Sequence, residues 1–231
     1  MYMPFFFDPT MIILLPAVAI AIYAQYKVKS AYNKYSEIRS KSGFTGADIA
    51  QRLLQNNNIS DVKVKRIKGE LNDHYDPSDK VLNLSEDVYG SSSLAAIGIA
   101  AHEAGHALQD YDNYKPLSIR AKLVPAANIG SQAGLPLAIF GFFLQSQIMI
   151  GIGFVVFLAA VLFQLVTLPV EFNASNRAIS SLNSGGYLDS EELQGAKKVL
   201  RAAAFTYVAA TLVAFANLVR IIMLFGMGSR D

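Results

Sequence analysis

Four stretches of the chain are apolar for about 20 residues each, the length needed to cross a bilayer as a helix. They run roughly over residues 9–26, 123–144, 148–168 and 205–227, and the second and third are separated only by "QSQ". Asp8 and Pro9 suit the start of the first as N-cap and first-turn residues. Gly130 and Gly134 stand four apart in the second, a small-residue pattern for close helix packing. The polar stretches between the spans carry shorter periodicities. "SGFTGADIAQRLLQNNN" places Ile49, Leu53 and Leu54 on one face of a predicted amphipathic helix. "DVKVKRIKG" alternates as a strand, and "DPSDKVLNLS" reads as a turn and a second strand, so a hairpin or three-stranded sheet is expected. "SSSLAAIGIAAHEAGHALQ" follows, with a serine among Ser91–Ser93 as N-cap and apolar residues on nearly every side, which predicts a buried helix. "GGYLDSEELQGAKK" reads as the start of another, capped by Asp189 or Ser190.

Composition sharpens this outline. With 52% hydrophobic and only 16% charged residues, the chain suits a bilayer better than water. The fold class expected is mainly α and integral to the membrane: about four transmembrane helices plus a small α+β region, in one domain over residues 1–231. A net charge of +2 is too small to suggest nucleic acid as a partner. The chain has no cysteine, which excludes disulfides, thiolate metal ligands and a cysteine nucleophile.

Charge placement gives orientation. Lys27, Lys29, Lys34, Arg39 and Lys41 follow the first span; Lys115, Arg120 and Lys122 precede the second; Lys197, Lys198 and Arg201 precede the fourth. The segments on the opposite side hold only Arg230. By the positive-inside rule, residues 27–122 and 169–204 face the cytoplasm and the N-terminus lies outside. The tip "MYMPFFFDP" has no Lys or Arg, so the first span reads as an uncleaved anchor and not as a signal peptide. Arg220 lies near the outer end of the fourth span, where snorkelling or pairing with Asp8 is expected.

Two of the chain's three histidines fall in the buried helix, as His102-Glu103-x-x-His106. By residue frequencies those three letters recur by chance in on the order of one chain in a hundred of this length, so context decides. Residues four apart share a helix face, so His102 and His106 can bind one ion. Glu103, rotated by about 100°, can instead serve as general base. Two histidines and a glutamate in a buried helix are costly without a metal or partners. Zinc is the expected cofactor, one per chain; it lowers the pKa of a bound water to about 7 and polarises a scissile carbonyl.

The third ligand has three candidates: Asp110, His74 and Glu171. Topology favours Glu171. Two spans separate it from His106 and return the chain to the side it left, and Glu171 follows the last apolar residue, Leu168, by three. Pro169 is expected to start a new helical segment with Glu171 in its first turn. Asp110 is also a candidate for supporting the histidines from behind. His74, in a turn between the predicted strands, Tyr75 and Arg177 are candidates for transition-state or substrate contacts. Structural roles stand beside these: a turn hydrogen bond for His74, an ion pair for Arg177.

"DHYDP", "LS-x-x-VYG", "AAHEAGHALQ", "LPVEFNAS-x-RA" and "AAAFTYVAA" together resemble the bacterial membrane-bound neutral zinc metallopeptidases, the YugP-like family. The resemblance covers nearly the whole chain. It is more distant to membrane gluzincins such as the HtpX heat-shock protease and the CAAX prenyl protease, where a Glu-x-x-Ala-Asp pattern supplies the third ligand. Glu171 and Ala174 match that pattern; Ser175 stands where the Asp would support a zinc histidine, and Asn173, Asn176 or Asp110 are the candidates to serve in its place. The resemblance implies a gluzincin-like metallo-endopeptidase of the bacterial plasma membrane, with peptide or protein substrates. Two other functions are weighed against it. An intramembrane protease would cut within the bilayer, but the polar Gln109 and Asp110 flank the motif well before the next span begins. A catalytically silent zinc-containing scaffold would have no use for Glu103.

Overall fold

In a computed structural model, described over residues 9–228, the chain is mainly helical with one small sheet. A 3₁₀ turn, Pro9–Ile13, leads into helix α1, Leu14–Ser36. Then come α2 (Gly46–Asn56), β1 (Lys63–Ile67), β2 (His74–Asp76), β3 (Val81–Ser85), α3 (Glu86–Tyr89) and α4 (Leu94–Tyr111). Helix α5 (Lys115–Ile129) passes through a π-helical turn, Gly130–Gly134, into α6 (Leu135–Phe143). Two long helices, α7 (Gln147–Ser184) and α8 (Ser190–Gly228), complete the fold. Asp8 and its expected cap and ion pair lie outside the described residues.

Among the described residues, four helical stretches are long and apolar enough to cross a membrane: Thr10–Ser36, Lys115–Phe143, Gln147–Ser184 and Ser190–Gly226. The chain divides into two compact units. One comprises the residues up to Ala24, Ile119–Leu168 and those from Thr206 onwards. Its core includes Ala138, Ile150, Phe157, Val161 and Ile221. The π turn fits closely here: a Cβ on Gly130 would come 2.6 Å from the Val156 carbonyl oxygen, and one on Gly134 would come 2.7 Å from Phe157. Small residues let the two helices touch backbone to backbone, as their spacing predicts. Arg220 is 6% exposed, and its Nε donates to Thr10 Oγ1 at 3.2 Å, because a buried guanidinium needs acceptors within the protein.

The second unit is Gln25–Ser118 with Pro169–Phe205. Helix α2 starts in a capping box, with Thr45 Oγ1 accepting from Asp48 N and the Asp48 side chain accepting from Thr45 N, an arrangement worth about 1 kcal/mol. Its apolar face, Ile49, Leu53 and Leu54, enters a core shared with Leu82, Leu84, Val88, Ile97 and Leu182. The sheet order is β1-β3-β2, with β3 parallel to β1 and antiparallel to β2. His74 therefore lies in an edge strand and not in a turn, paired with Asn83. Ser93 Oγ caps α4 by accepting from Ala96 N, and α4 is buried along most of its length. Asp189 Oδ1 accepts from the backbone N–H of Glu191 and Glu192 and caps α8.

Pro169 does not start a helix. It sits inside α7, which continues unbroken to Ser184. A proline inside a helix removes one intrahelical hydrogen bond, a loss that a long, packed helix can tolerate. Glu171 is therefore a mid-helix residue, and stabilisation by a helix N-terminus does not explain it.

Candidate metal centre

Helix α4 supplies His102, Glu103 and His106; α7 supplies Glu171. All four lie in the sheet-bearing unit. Gly105 lets the two helices meet: a Cβ there would stand 2.5 Å from the carbonyl oxygen of Ala174. Gly105→Ala is thus expected to cost on the order of 1–3 kcal/mol and to weaken metal binding by forcing the helices apart. Thermal unfolding and zinc titration check this; a variant matching wild type in both would show that the close approach does not set the ligand spacing.

Across this contact three donors converge. His102 Nε2 lies 3.2 Å from Glu171 Oε2, and His106 Nε2 lies 3.7 Å from the same oxygen. The three residues offer ligand atoms that all fall within 4.8 Å of one another. Ligand atoms about 2.1 Å from a tetrahedral zinc ion stand about 3.4 Å apart, so the spacing fits. The donor set of two imidazoles and a carboxylate suits zinc. Glu171 is 2% exposed, and an unneutralised carboxylate so deeply buried would be costly. The His106 pKa is raised. Burial alone would lower it, but the Glu171 hydrogen bond, the charges of Glu103 and Glu171, and Gln109 outweigh burial. The pocket favours positive charge.

The histidines are held from behind. Ser175 Oγ lies 3.1 Å from His102 Nδ1, and Gln109 Oε1 lies 2.9 Å from His106 Nδ1. Both Nε2 atoms are therefore the ones turned toward Glu171. Ser175 fills the position where the gluzincin Asp was expected; a hydroxyl oxygen can accept from an imidazole N–H as a carboxylate does. Asn173 touches His106 only through Gln109, and Asn176 is exposed. Gln109 is fully buried, whereas from the sequence it reads only as a polar flank of the motif. The helical spacing to His106 was the signal for it.

Glu103 is buried beside the donors, and its Oε2 accepts from the backbone N–H of Tyr75 at 3.1 Å. That N–H lies on the edge of β2 away from β3. Asp110 is not at the metal donors. It accepts from the Tyr75 hydroxyl at 2.8 Å and from Lys80 Nζ, fastening β2 to the end of α4. Burial and the Asp110 carboxylate push the Tyr75 pKa up, so the phenol stays a donor. His74 is exposed. Its Nδ1 meets Asn72 O at 2.7 Å and its Nε2 meets Asn83 Nδ2 at 3.1 Å, which is a structural arrangement. Arg177 donates from Nε to Asn173 Oδ1 and pairs with Asp112.

A sequence profile described as "Putative neutral zinc metallopeptidase" matches residues 10–226. The chain belongs to this family. It is 46% identical over 217 residues to the "Putative membrane protease YugP" of Bacillus subtilis (strain 168), covering 94% of this chain and 96% of that relative. No solved structure matches it significantly. Membership agrees with the donor set, since the family is described by the metal that two imidazoles and a carboxylate would hold.

Proposed function

We propose that the chain is a membrane-embedded zinc endopeptidase that hydrolyses peptide bonds at the cytoplasmic face of the bacterial plasma membrane. The observation that carries this reading is the convergence of His102 Nε2, His106 Nε2 and a Glu171 carboxylate oxygen beside Glu103. His102, His106 and Glu171 would hold one zinc ion per chain. When bound, zinc supplies Lewis acidity, polarising the scissile carbonyl and bringing the pKa of water down to about 7. Glu103 takes a proton from the attacking water and returns it to the leaving amine nitrogen as the C–N bond breaks. Ser175 and Gln109 keep the two imidazoles turned so that their Nε2 atoms face Glu171, where they would hold the ion. The Tyr75 N–H steadies Glu103, and an extended peptide pairing with this edge of β2 would compete for that donor. His74 and the Tyr75 hydroxyl are committed to structural partners, and the Lewis acidity that a bound zinc would supply is the remaining source of oxyanion stabilisation.

The metal donors belong to the sheet-bearing unit and not to the unit that holds most of the apolar helical sequence. This supports cleavage outside the hydrocarbon over an intramembrane protease. A chelator is expected to abolish cleavage of peptides by the purified protein, and zinc to restore it; cleavage that survives metal removal would sink the reading. The four apolar helices are taken to cross the bilayer with residues 27–122 inside, following the charge asymmetry. The chain lacks cysteine, so a single Lys63→Cys substitution tests this orientation. An impermeant thiol reagent is expected to label it in inverted vesicles and not in intact cells. Labelling from outside would contradict a cytoplasmic site.

A further inference from the structure

We propose that Gln109 is a positioning residue that sets the tautomer of His106, and that its own orientation is dictated from Arg177 through Asn173. The inference rests on the zinc reading of the site. Gln109 is 0% exposed, and each end of its amide is engaged. Oε1 lies 2.9 Å from His106 Nδ1; Nε2 donates to the Val170 carbonyl oxygen at 2.8 Å and to Asn173 Oδ1 at 3.0 Å.

Hydrogen-bond polarity leaves one solution. A guanidinium can only donate, so the atom of Asn173 that meets Arg177 Nε at 2.8 Å must be its oxygen. That same oxygen faces Gln109, so Gln109 must present its NH₂ there. The Val170 carbonyl, which can only accept, demands the same. The oxygen of Gln109 is then left for His106, and it can only accept. His106 Nδ1 must therefore carry the hydrogen, and Nε2 keeps the lone pair that a metal requires. Asp112 anchors the far end by pairing with Arg177.

The chain of bonds also sets register between two helices. Val170 directly precedes Glu171, so Gln109 ties the helix bearing His106 to the backbone beside the third donor. One buried amide thus holds a histidine tautomer and the spacing of two ligands. Partners behind a zinc ligand typically contribute 10–100-fold in metal affinity.

The test is the zinc dissociation constant of the full chain in detergent, measured by competition with a chelating indicator. Gln109→Met keeps the side-chain length and removes both hydrogen-bonding ends; it is expected to weaken zinc binding about 10–100-fold. Asn173→Asp retains an oxygen that accepts from both Gln109 and Arg177, and is expected to bind zinc as wild type does. Asn173→Leu removes that acceptor and is expected to weaken binding about tenfold or more. Gln109→Met with wild-type affinity overturns the proposal. If Gln109→Met does not fold, the Asn173 pair decides: a loss in Leu that Asp does not share supports the proposal, and equal affinities overturn it. Should wild type itself take up no zinc, the metal reading fails and the proposal with it. Wild-type binding with indifferent variants sinks the positioning role alone.

Discussion

Glu103→Gln is expected to lower peptide cleavage by a factor of about 10²–10⁴ while leaving zinc bound. The substitution is close to isosteric, and Glu103 is buried among small α4 neighbours, so packing should survive. The amide oxygen of Gln can still accept the Tyr75 N–H that the Glu103 carboxylate now accepts. It cannot take a proton from water at neutral pH. Glu103 does not belong to the converging donor set, which is His102, His106 and Glu171, so the metal should stay. Rate and zinc content must be measured on the same preparation. Unchanged cleavage would remove Glu103 from the chemistry. Loss of zinc would mean that Glu103 acts as a ligand. A silent scaffold predicts something different again: no cleavage in wild type with any peptide, and nothing for the substitution to lower.

Glu171→Gln is expected to weaken zinc binding by more than the roughly 10–100-fold that an outer partner contributes, because it removes a ligand charge outright. The neutral amide of Gln is a poor ligand for zinc, and nothing else in the described donor set supplies an anion to the two imidazoles. Asp110→Asn is the matched control. Asp110 lies four residues beyond His106 and was the nearest rival in sequence, but its carboxylate is occupied by Tyr75 and Lys80. Its replacement should loosen β2 from α4 and keep the zinc. A cleavage defect in Asp110→Asn with full zinc would place the fault in substrate alignment along β2. The reverse metal pattern, with zinc lost in Asp110→Asn and kept in Glu171→Gln, would overturn the assignment.

Much of this was legible because its signals were local or topological. Four apolar runs appear as four long helices, and Ser93, one of the three serines before Leu94, caps α4 as its chemistry suggests. Glu171 could be reached from His106 without knowing any distance, since a helical hairpin must return the chain to the side it left. What misled was Pro169. Read locally it starts a helix, yet α7 runs through it, because one missing hydrogen bond is a small term in a 38-residue helix. The parallel pairing of β1 with β3 was also hidden. The three-residue strand that separates them in sequence is too short to announce itself, so His74 read as a turn residue. The support behind the histidines depends on side chains from α4 and α7 meeting, a pairing that sequence does not state. Ser175 looked like a missing aspartate until its hydroxyl was seen beside His102 Nδ1.

The most direct measurement is zinc X-ray absorption on the purified wild-type protein, with metal content determined on the same sample. About one zinc per chain is expected, with two imidazole nitrogens and oxygen donors at about 2.0–2.2 Å, and this signal should be lost in Glu171→Gln. Trace zinc in a cleaving preparation, or a stoichiometric metal without imidazole ligands, would contradict a site built from His102, His106 and Glu171.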